Sequence, residues 1–438
     1  MTQGTEAAGA RAGGFYQGFL SRLVQVRPGE APVLAWAWLY IFSVLSSYYI
    51  MRPIRDQMGV AGGVNNLQWL FTGTLIGMLV LNIPYAFLVK TLPRTRFITV
   101  TYRFFAANIL LFAVALHFAD ATQTIWIGRA FFIWISIFNL FVVSVFWALI
   151  VDTFNSEQGK RLFGFIAAGA TIGAITGSSI TATLARQVPT PLLLVGAIVL
   201  LEVAVFSVRH LSRLSEALNA RPHEAASQPV GGNILAGITH PFKSAYLANV
   251  SLFILLFAIT ATFLYFQQAS LVRDNFHDRG AQTAFFAQID LAVNVITLIV
   301  QLFFTGRIVG FLGVGVTLAI LPALTLLGFG ALAALPAVST LVVFQVLRRS
   351  SDYAIARPTR EVLYTVVPRE DRYKAKSFID TVVYRGGDQI GAWTYALVAM
   401  ASFGSMLMAA IAIGLAALWL INGLWLGRRQ VLLASRES

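Results

Sequence analysis

The chain contains no cysteine, and charged residues make up only 12% of its 438 positions. Without thiols it forms no disulfide framework, no thiolate metal site and no cysteine nucleophile, and its redox compartment stays open. Five histidines (His117, His210, His223, His240, His277) are scattered too widely to give metal-ligand spacing. Also missing are a glycine-rich phosphate loop closed by Lys-Ser or Lys-Thr, a His-Glu-x-x-His and a Gly-x-Ser-x-Gly. The sequence therefore predicts neither an enzyme nor an ATP-driven pump, and no cofactor or metal. Soluble domains carry about 25% charged residues. At half that level, with 57% hydrophobic residues, a water-soluble fold of this size could not hide its apolar surface.

What the chain has in abundance is long apolar runs. A spanning helix needs about 20 mostly apolar residues, and twelve windows fit: 31–52, 66–89, 97–118, 124–150, 162–185, 191–209, 244–269, 282–305, 309–333, 337–357, 376–401 and 404–426. Residues 1–30 hold Arg11, Arg22 and Arg27 but no apolar core, so no cleavable signal peptide is expected there. Placing both termini in the cytoplasm leaves only Arg52, Arg55, Arg129, Arg186, Arg273 and Arg279 at the outer side, while Arg103, Arg348, Arg349 and Arg385 fall within spans. All other Lys and Arg residues then lie inside, as the positive-inside rule requires for an inner-membrane protein. The excess of 32 basic over 19 acidic residues is thus a topological signal, and no nucleic-acid partner is expected.

The longest polar stretch follows the sixth window. It divides the chain into a cytoplasmic segment 1–30, a six-helix half 31–209, a linker 210–243, a second half 244–426 and a tail 427–438. The halves echo one another. A shift of 213 superposes Glu157 on Glu370, Arg161 on Lys374, Phe165-Ile166 on Phe378-Ile379 and Gly173 on Gly386, and a shift of 218 superposes Arg55-Asp56 on Arg273-Asp274. An all-α polytopic protein of twelve transmembrane helices in two six-helix halves follows, the arrangement of the major facilitator fold.

Charges inside spans are costly and usually face protein or a water-filled cavity. The first helix ends in Arg52, Pro53, Arg55 and Asp56; Arg52 and Asp56 are four apart and can pair, or Pro53 bends the helix and aims an arginine into a cavity. The tenth carries Gln345, Arg348, Arg349, Asp352 and Arg357, the first four on one stripe. The eleventh carries Asp380, Tyr384 and Asp388 at four-residue intervals, with Arg385 beside Asp388. Asp380 or Asp388 is a proton carrier, an ion-pair partner of Arg385 or a direct substrate contact. Asp290, Asn294 and Glu202 are read as interhelical hydrogen-bonding groups, and Gln267 and Gln268 as cavity donors. Gly169, Gly173 and Gly177 recur every four residues on the fifth helix, a spacing that lets two backbones approach.

The run Arg357-Pro358-Thr359-Arg360-Glu361, then Lys374-Ala375-Lys376, Phe378-Ile379-Asp380 and Arg385-Gly386, resembles the ATP:ADP antiporter family of plastids and intracellular bacteria. That family has Pro-Thr-Lys-Glu, Lys-Gly-Lys, Ile-Asp and Arg elements in the same order. Residues 50–56 and 157–169 are similar to its first helix and its loop between helices four and five. The resemblance implies an exchanger of phosphorylated nucleotides, with Arg55, Arg360, Lys374, Lys376 and Arg385 among the phosphate-holding cations and Asp380 matching a family aspartate. Asp388 departs from it, standing where the family has a lysine.

The expectations are these. A multi-pass carrier working as a single copy moves a small anionic or nucleotide-like solute by exchange. Arg52, Arg55, Arg348, Arg349, Arg360, Lys374, Lys376 and Arg385 contact the substrate; Asp56, Asp352, Asp380 and Asp388 gate or couple. Proton-coupled transport of another organic solute, and a non-transporting sensor or partner protein, are the competing readings.

Overall fold

The computed structural model describes residues 26–27, 29–154, 156–218, 244–367, 375–401 and 404–437. In chain order the helices are α1 (Glu30–Ala61), α2 (Leu67–Thr91), α3 (Arg94–Phe118), α4 (Ala121–Thr153), α5 (Ser156–Leu184), α6 (Thr190–Leu218), α7 (Ala245–Asn275), α8 (Arg279–Phe303) and α9 (Thr305–Ala334). Helix α10 runs from Val338–Ser351 through a π-turn, Asp352–Ala356, into Arg357–Val362. Helix α11 starts at residues 375–378 and passes a second π-turn, Ile379–Val383, into Tyr384–Met400; α12 is Gly404–Glu437. Ten of the described helices are long and apolar enough to cross a membrane. Helices α10 and α11 are the exceptions, because their charges and π-turns interrupt the apolar run.

Several helices outrun their apolar windows. Helix α6 continues to Leu218 and α12 to Glu437, so part of the expected linker and most of the expected tail are helical; residues 219–243 lie outside the described set. The apolar window is set by bilayer thickness, whereas the backbone ladder continues through good helix formers such as Arg, Leu and Glu. In α9 the ladder is broken at Gly313, whose φ of 70° lies where a side chain is disfavoured.

By packing, the chain divides into two compact units. The first comprises the chain up to Ile54, Met78–Ile127 and Trp134 through α6; the second comprises Arg55–Gly77, Gly128–Ile133 and everything from α7 onward. Within the first, Tyr40, Tyr102 and Phe146 are fully buried, and the Tyr40 and Tyr102 hydroxyls share a 2.5 Å hydrogen bond. Within the second, the end of α1, the 3-10 turn Val64–Asn66 that follows it, the start of α2 and one turn of α4 supply Val60, Val64, Leu67, Leu70 and Phe132 to a core with Phe266, Phe285, Ile289, Val293, Val346 and Ala392. Large apolar side chains also point outward, Ile83, Phe118 and Phe311 among them, as hydrocarbon solvent permits.

The glycine spacing on α5 brings it against α1. A Cβ at Gly169 would lie 3.0 Å from Trp38, one at Gly173 would fall on the Phe42 carbonyl, and one at Gly177 on that of Ser46. The hydroxyl of Ser46 in turn donates to the Gly173 carbonyl at 3.0 Å. The second half repeats this contact, with Gly387 against the Leu255 carbonyl and Gly391 against that of Ile259, on α11 and α7. Phe42 and Ser46 lie 213 residues before Leu255 and Ile259, but Gly173 and Gly177 lie 214 before Gly387 and Gly391. The π-turn Ile379–Val383 absorbs the extra residue, a π-turn being one residue more per turn than the α-helix. Gly386, the sequence match to Gly173, therefore has open space around it. The shift of 218 is likewise not the structural one, since the α1–α7 correspondence is 213.

Candidate functional site

The charges of α10 and α11 are distributed over neighbouring helices rather than gathered on one stripe. Arg348, 3% exposed, is held by neutral acceptors: its Nε donates to Thr325 Oγ1 at 3.2 Å, and its Nη2 to the Phe257 carbonyl and to Thr260 Oγ1, each at 3.2 Å. Its guanidinium also lies 5.2 Å from the Phe257 ring centroid. Arg349, one residue on, turns to α8 and pairs with Asp290 at 2.7 Å, both side chains largely buried. Gln345 donates to Gln268 on α7. Arg348 and Arg349 thus serve different neighbours of α10, the one facing α7 and α9 and the other α8, being about 100° apart at 3.6 residues per turn.

The first π-turn is braced by its neighbours. The carbonyls of Tyr353 and Ala354 accept from Gln301 (3.3 Å) and Thr305 (2.8 Å), which fixes backbone groups that a π-turn takes out of the regular ladder. Across the turn Arg357 Nε donates to Asp352 at 3.1 Å, and its guanidinium lies 4.5 Å from the Tyr353 ring centroid. At the end of α10, Arg360 faces Asp380 at 3.8 Å, while Lys376 pairs with Glu361 and lies 5.7 Å from the Tyr364 ring. Burial pushes the Tyr364 phenol well above its ordinary range. Lys374 lies outside the described residues.

On α11, Arg385 donates to Asp388 at 3.1 Å and Thr262 donates to the other carboxylate oxygen at 3.4 Å. Asp388 is 8% exposed. The expected face of Asp380, Tyr384 and Asp388 does not form: Asp380 lies at the start of the second π-turn and Asp388 beyond it, so four-residue spacing no longer aligns them. Each acid has its own cation instead. Near the end of α1, Asp56 accepts from Arg55 (3.0 and 2.6 Å) and from the Tyr265 hydroxyl (3.1 Å), and Arg55 lies 5.2 Å from the Phe132 ring. Arg52 lies over the Tyr49 ring at 5.6 Å. Asn294, expected to bond between helices, donates to the Asp290 carbonyl of its own helix at 2.8 Å. Glu202 does reach another helix, meeting Arg103 of α3 at 3.3 Å.

Three polar groupings escaped the sequence reading. Buried Glu30 accepts from both terminal nitrogens of Arg161 (3.2 and 2.9 Å) and from Gln158 (3.0 Å), tying the start of α1 to that of α5. Thr72 donates to Gln389 at 2.9 Å and accepts from the Trp393 indole at 3.1 Å. Asp290 had been singled out, but not with its partner on α10. The usable signal was a polar residue in an otherwise apolar helix, which gives a position without naming what it meets. Among the described residues no cluster of His, Asp or Glu has metal-binding geometry.

No protein-family profile matches the chain. No curated protein matches it by sequence. Its fold is nevertheless shared with solved structures: the chain has the all-α polytopic architecture of major facilitator-type transporters. A bacterial homologue of the iron transporter ferroportin, in an inward-facing state, aligns over 91% of this chain and 98% of its own, with 12% identity and a TM-score of 0.63. An autoinhibited peptide transporter of the POT family aligns over 92% and 97%, with 12% identity and a TM-score of 0.60. The nucleoside transporter NupG aligns over 90% and 98%, with 13% identity and a TM-score of 0.54.

Proposed function

We propose that the chain is a secondary active transporter of the inner membrane, both termini cytoplasmic, which moves a small organic anion by exchange through alternating access. The observation that carries this reading is the charge pairing on α10 and α11. Among the described residues, Arg349 pairs with Asp290, Arg357 with Asp352, Arg360 with Asp380, Lys376 with Glu361 and Arg385 with Asp388, while Arg348 is held by neutral acceptors. A small cation excess suits an anion of one or two charges better than ATP, which carries about four. The resemblance of residues 357–391 to ATP:ADP antiporters supports exchange as the mode, and the acid at Asp388 fits a less charged cargo. Pairs that open during the cycle release guanidinium groups whose geometry matches carboxylate or phosphate oxygens.

The test is uptake into proteoliposomes of labelled ATP, ADP and a panel of mono- and dianionic metabolites, with vesicles preloaded or empty, at two external pH values. Saturable uptake of a mono- or dianion that requires preloading is expected. Uptake indifferent to the internal solute overturns exchange, and preference for ATP overturns the charge argument. A second reading, proton coupling through Asp388, is favoured by that carboxyl's burial beside Arg385 and Thr262. It predicts that a protonophore collapses accumulation and that Asp388→Asn preserves exchange while abolishing accumulation. Wild-type accumulation in Asp388→Asn rules it out.

A further inference from the structure

One ion pair lies where a bilayer least tolerates it. Arg103 stands nine residues into α3 and fifteen from its end, about 14 and 22 Å along the axis at 1.5 Å per residue. Glu202 sits twelve residues into the apolar part of α6, Thr190–Ser215, and thirteen from its end. They meet at 3.3 Å, yet their side chains are 52% and 45% exposed. The other pairs exposed to this degree on both sides, Arg27–Glu157 and Arg273–Asp274, stand at helix ends among the described residues. Apolar side chains flank the pair on the same surface: Phe104 and Leu111 on α3, Val199 and Phe206 on α6, all exposed. Within this apolar band, Ala107 and Gly196 are exposed small residues, and a Cβ at Gly196 meets nothing within 4 Å. Hydrocarbon offers such a pair no solvation, so its exposed half requires a polar partner from another molecule.

We propose that the α3–α6 face is the interface of a homodimer. A face carrying one cation and one anion side by side is self-complementary under a two-fold axis: Arg103 of one copy meets Glu202 of the other, and the reverse contact follows by symmetry. The small residues beside the pair let two helix backbones approach closely enough for this. The pair is then fully enclosed, each charge has an acid or base on two sides, and the neighbouring aromatic side chains are covered.

The absence of cysteine makes the test direct. Ala107→Cys supplies a unique thiol on the native charge background, and bifunctional maleimide applied to membranes should give a cross-linked dimer, while Ile83→Cys, exposed on α2, should stay a single chain. In a second experiment Arg103→Glu and Glu202→Arg copies, each bearing like charges, are expressed with different tags. Each alone should lose the self-association shown by differently tagged wild-type chains, and co-expression should restore co-purification between the two variants, since only the mixed pair has opposite charges across the axis. Single-chain particles of wild-type protein in nanodiscs, together with no cross-link at Ala107→Cys, overturn the proposal, whether lipid or another protein covers the face. Self-association that is indifferent to both charge variants overturns the role of the pair.

Discussion

Removing Asp290 should unbalance the most enclosed ion pair on α10. Its carboxylate is 3% exposed and Arg349 14%, at 2.7 Å, so Asp290→Ala leaves a guanidinium in a low-dielectric interior with its acid gone. Breaking a buried pair from one side costs about 3–5 kcal/mol, whereas replacing both partners by apolar groups of similar volume is often neutral. Asp290→Ala and Arg349→Met should therefore each destabilise, and the double variant should be more stable than Asp290→Ala alone, with a coupling energy at the upper end of the roughly 0.5–3 kcal/mol seen between residues in contact. The assay is thermal unfolding of purified protein in detergent, followed by the fluorescence of the nine tryptophans, with the retained monodisperse fraction as a check. Additive losses in the double variant refute the pairing argument. The same variants separate structure from cargo binding: a stable double variant that has lost uptake assigns Arg349 to the substrate, and one that transports assigns it to the scaffold.

Further outcomes follow from close contacts. Gly173→Leu puts side-chain atoms onto the Phe42 carbonyl and should cost at least the roughly 1–3 kcal/mol typical of overpacking, read as loss of folded yield; Gly164→Ala, which has open space around it, should match wild type. Tyr40→Phe deletes the hydrogen bond to Tyr102, whose hydroxyl keeps the Val142 carbonyl at 3.1 Å; thermal unfolding should report a loss of about 0.5–1.5 kcal/mol. Tyr265→Phe removes one donor from Asp56 while Arg55 remains, and a stability loss within the same range is expected, with anything larger pointing to a wider network at Asp56.

The membrane placement and the helix positions were readable because a bilayer imposes a single dominant rule, a run of apolar residues of fixed length. The charged runs near Arg348 and Asp380 were also visible as places where that rule is broken. What could not be read was partnership: nothing in the spacing of Asp290 says that Arg349, not Arg348, faces it. Helical-wheel arithmetic failed on α11 for a definite reason, since it assumes 3.6 residues per turn and Ile379–Val383 departs from that. The same departure hid the glycine pair Gly387 and Gly391 behind the apparent match at Gly386.

The π-turn on α11 is best understood as a one-residue insertion that the duplicated half has kept. An inserted residue in a regular helix rotates everything beyond it by about 100°, which would turn Gly387 and Gly391 away from α7; confined to a wide turn, it leaves the downstream register intact. Taking one residue out should then convert the wide turn to an ordinary one and return α11 to the residue count of α5. Deleting Val382, whose side chain is 56% exposed, should be tolerated by the fold where the loss of one residue from mid-α5 is not. Whatever Asp380 contributes by being out of phase with Asp388 would be lost with it.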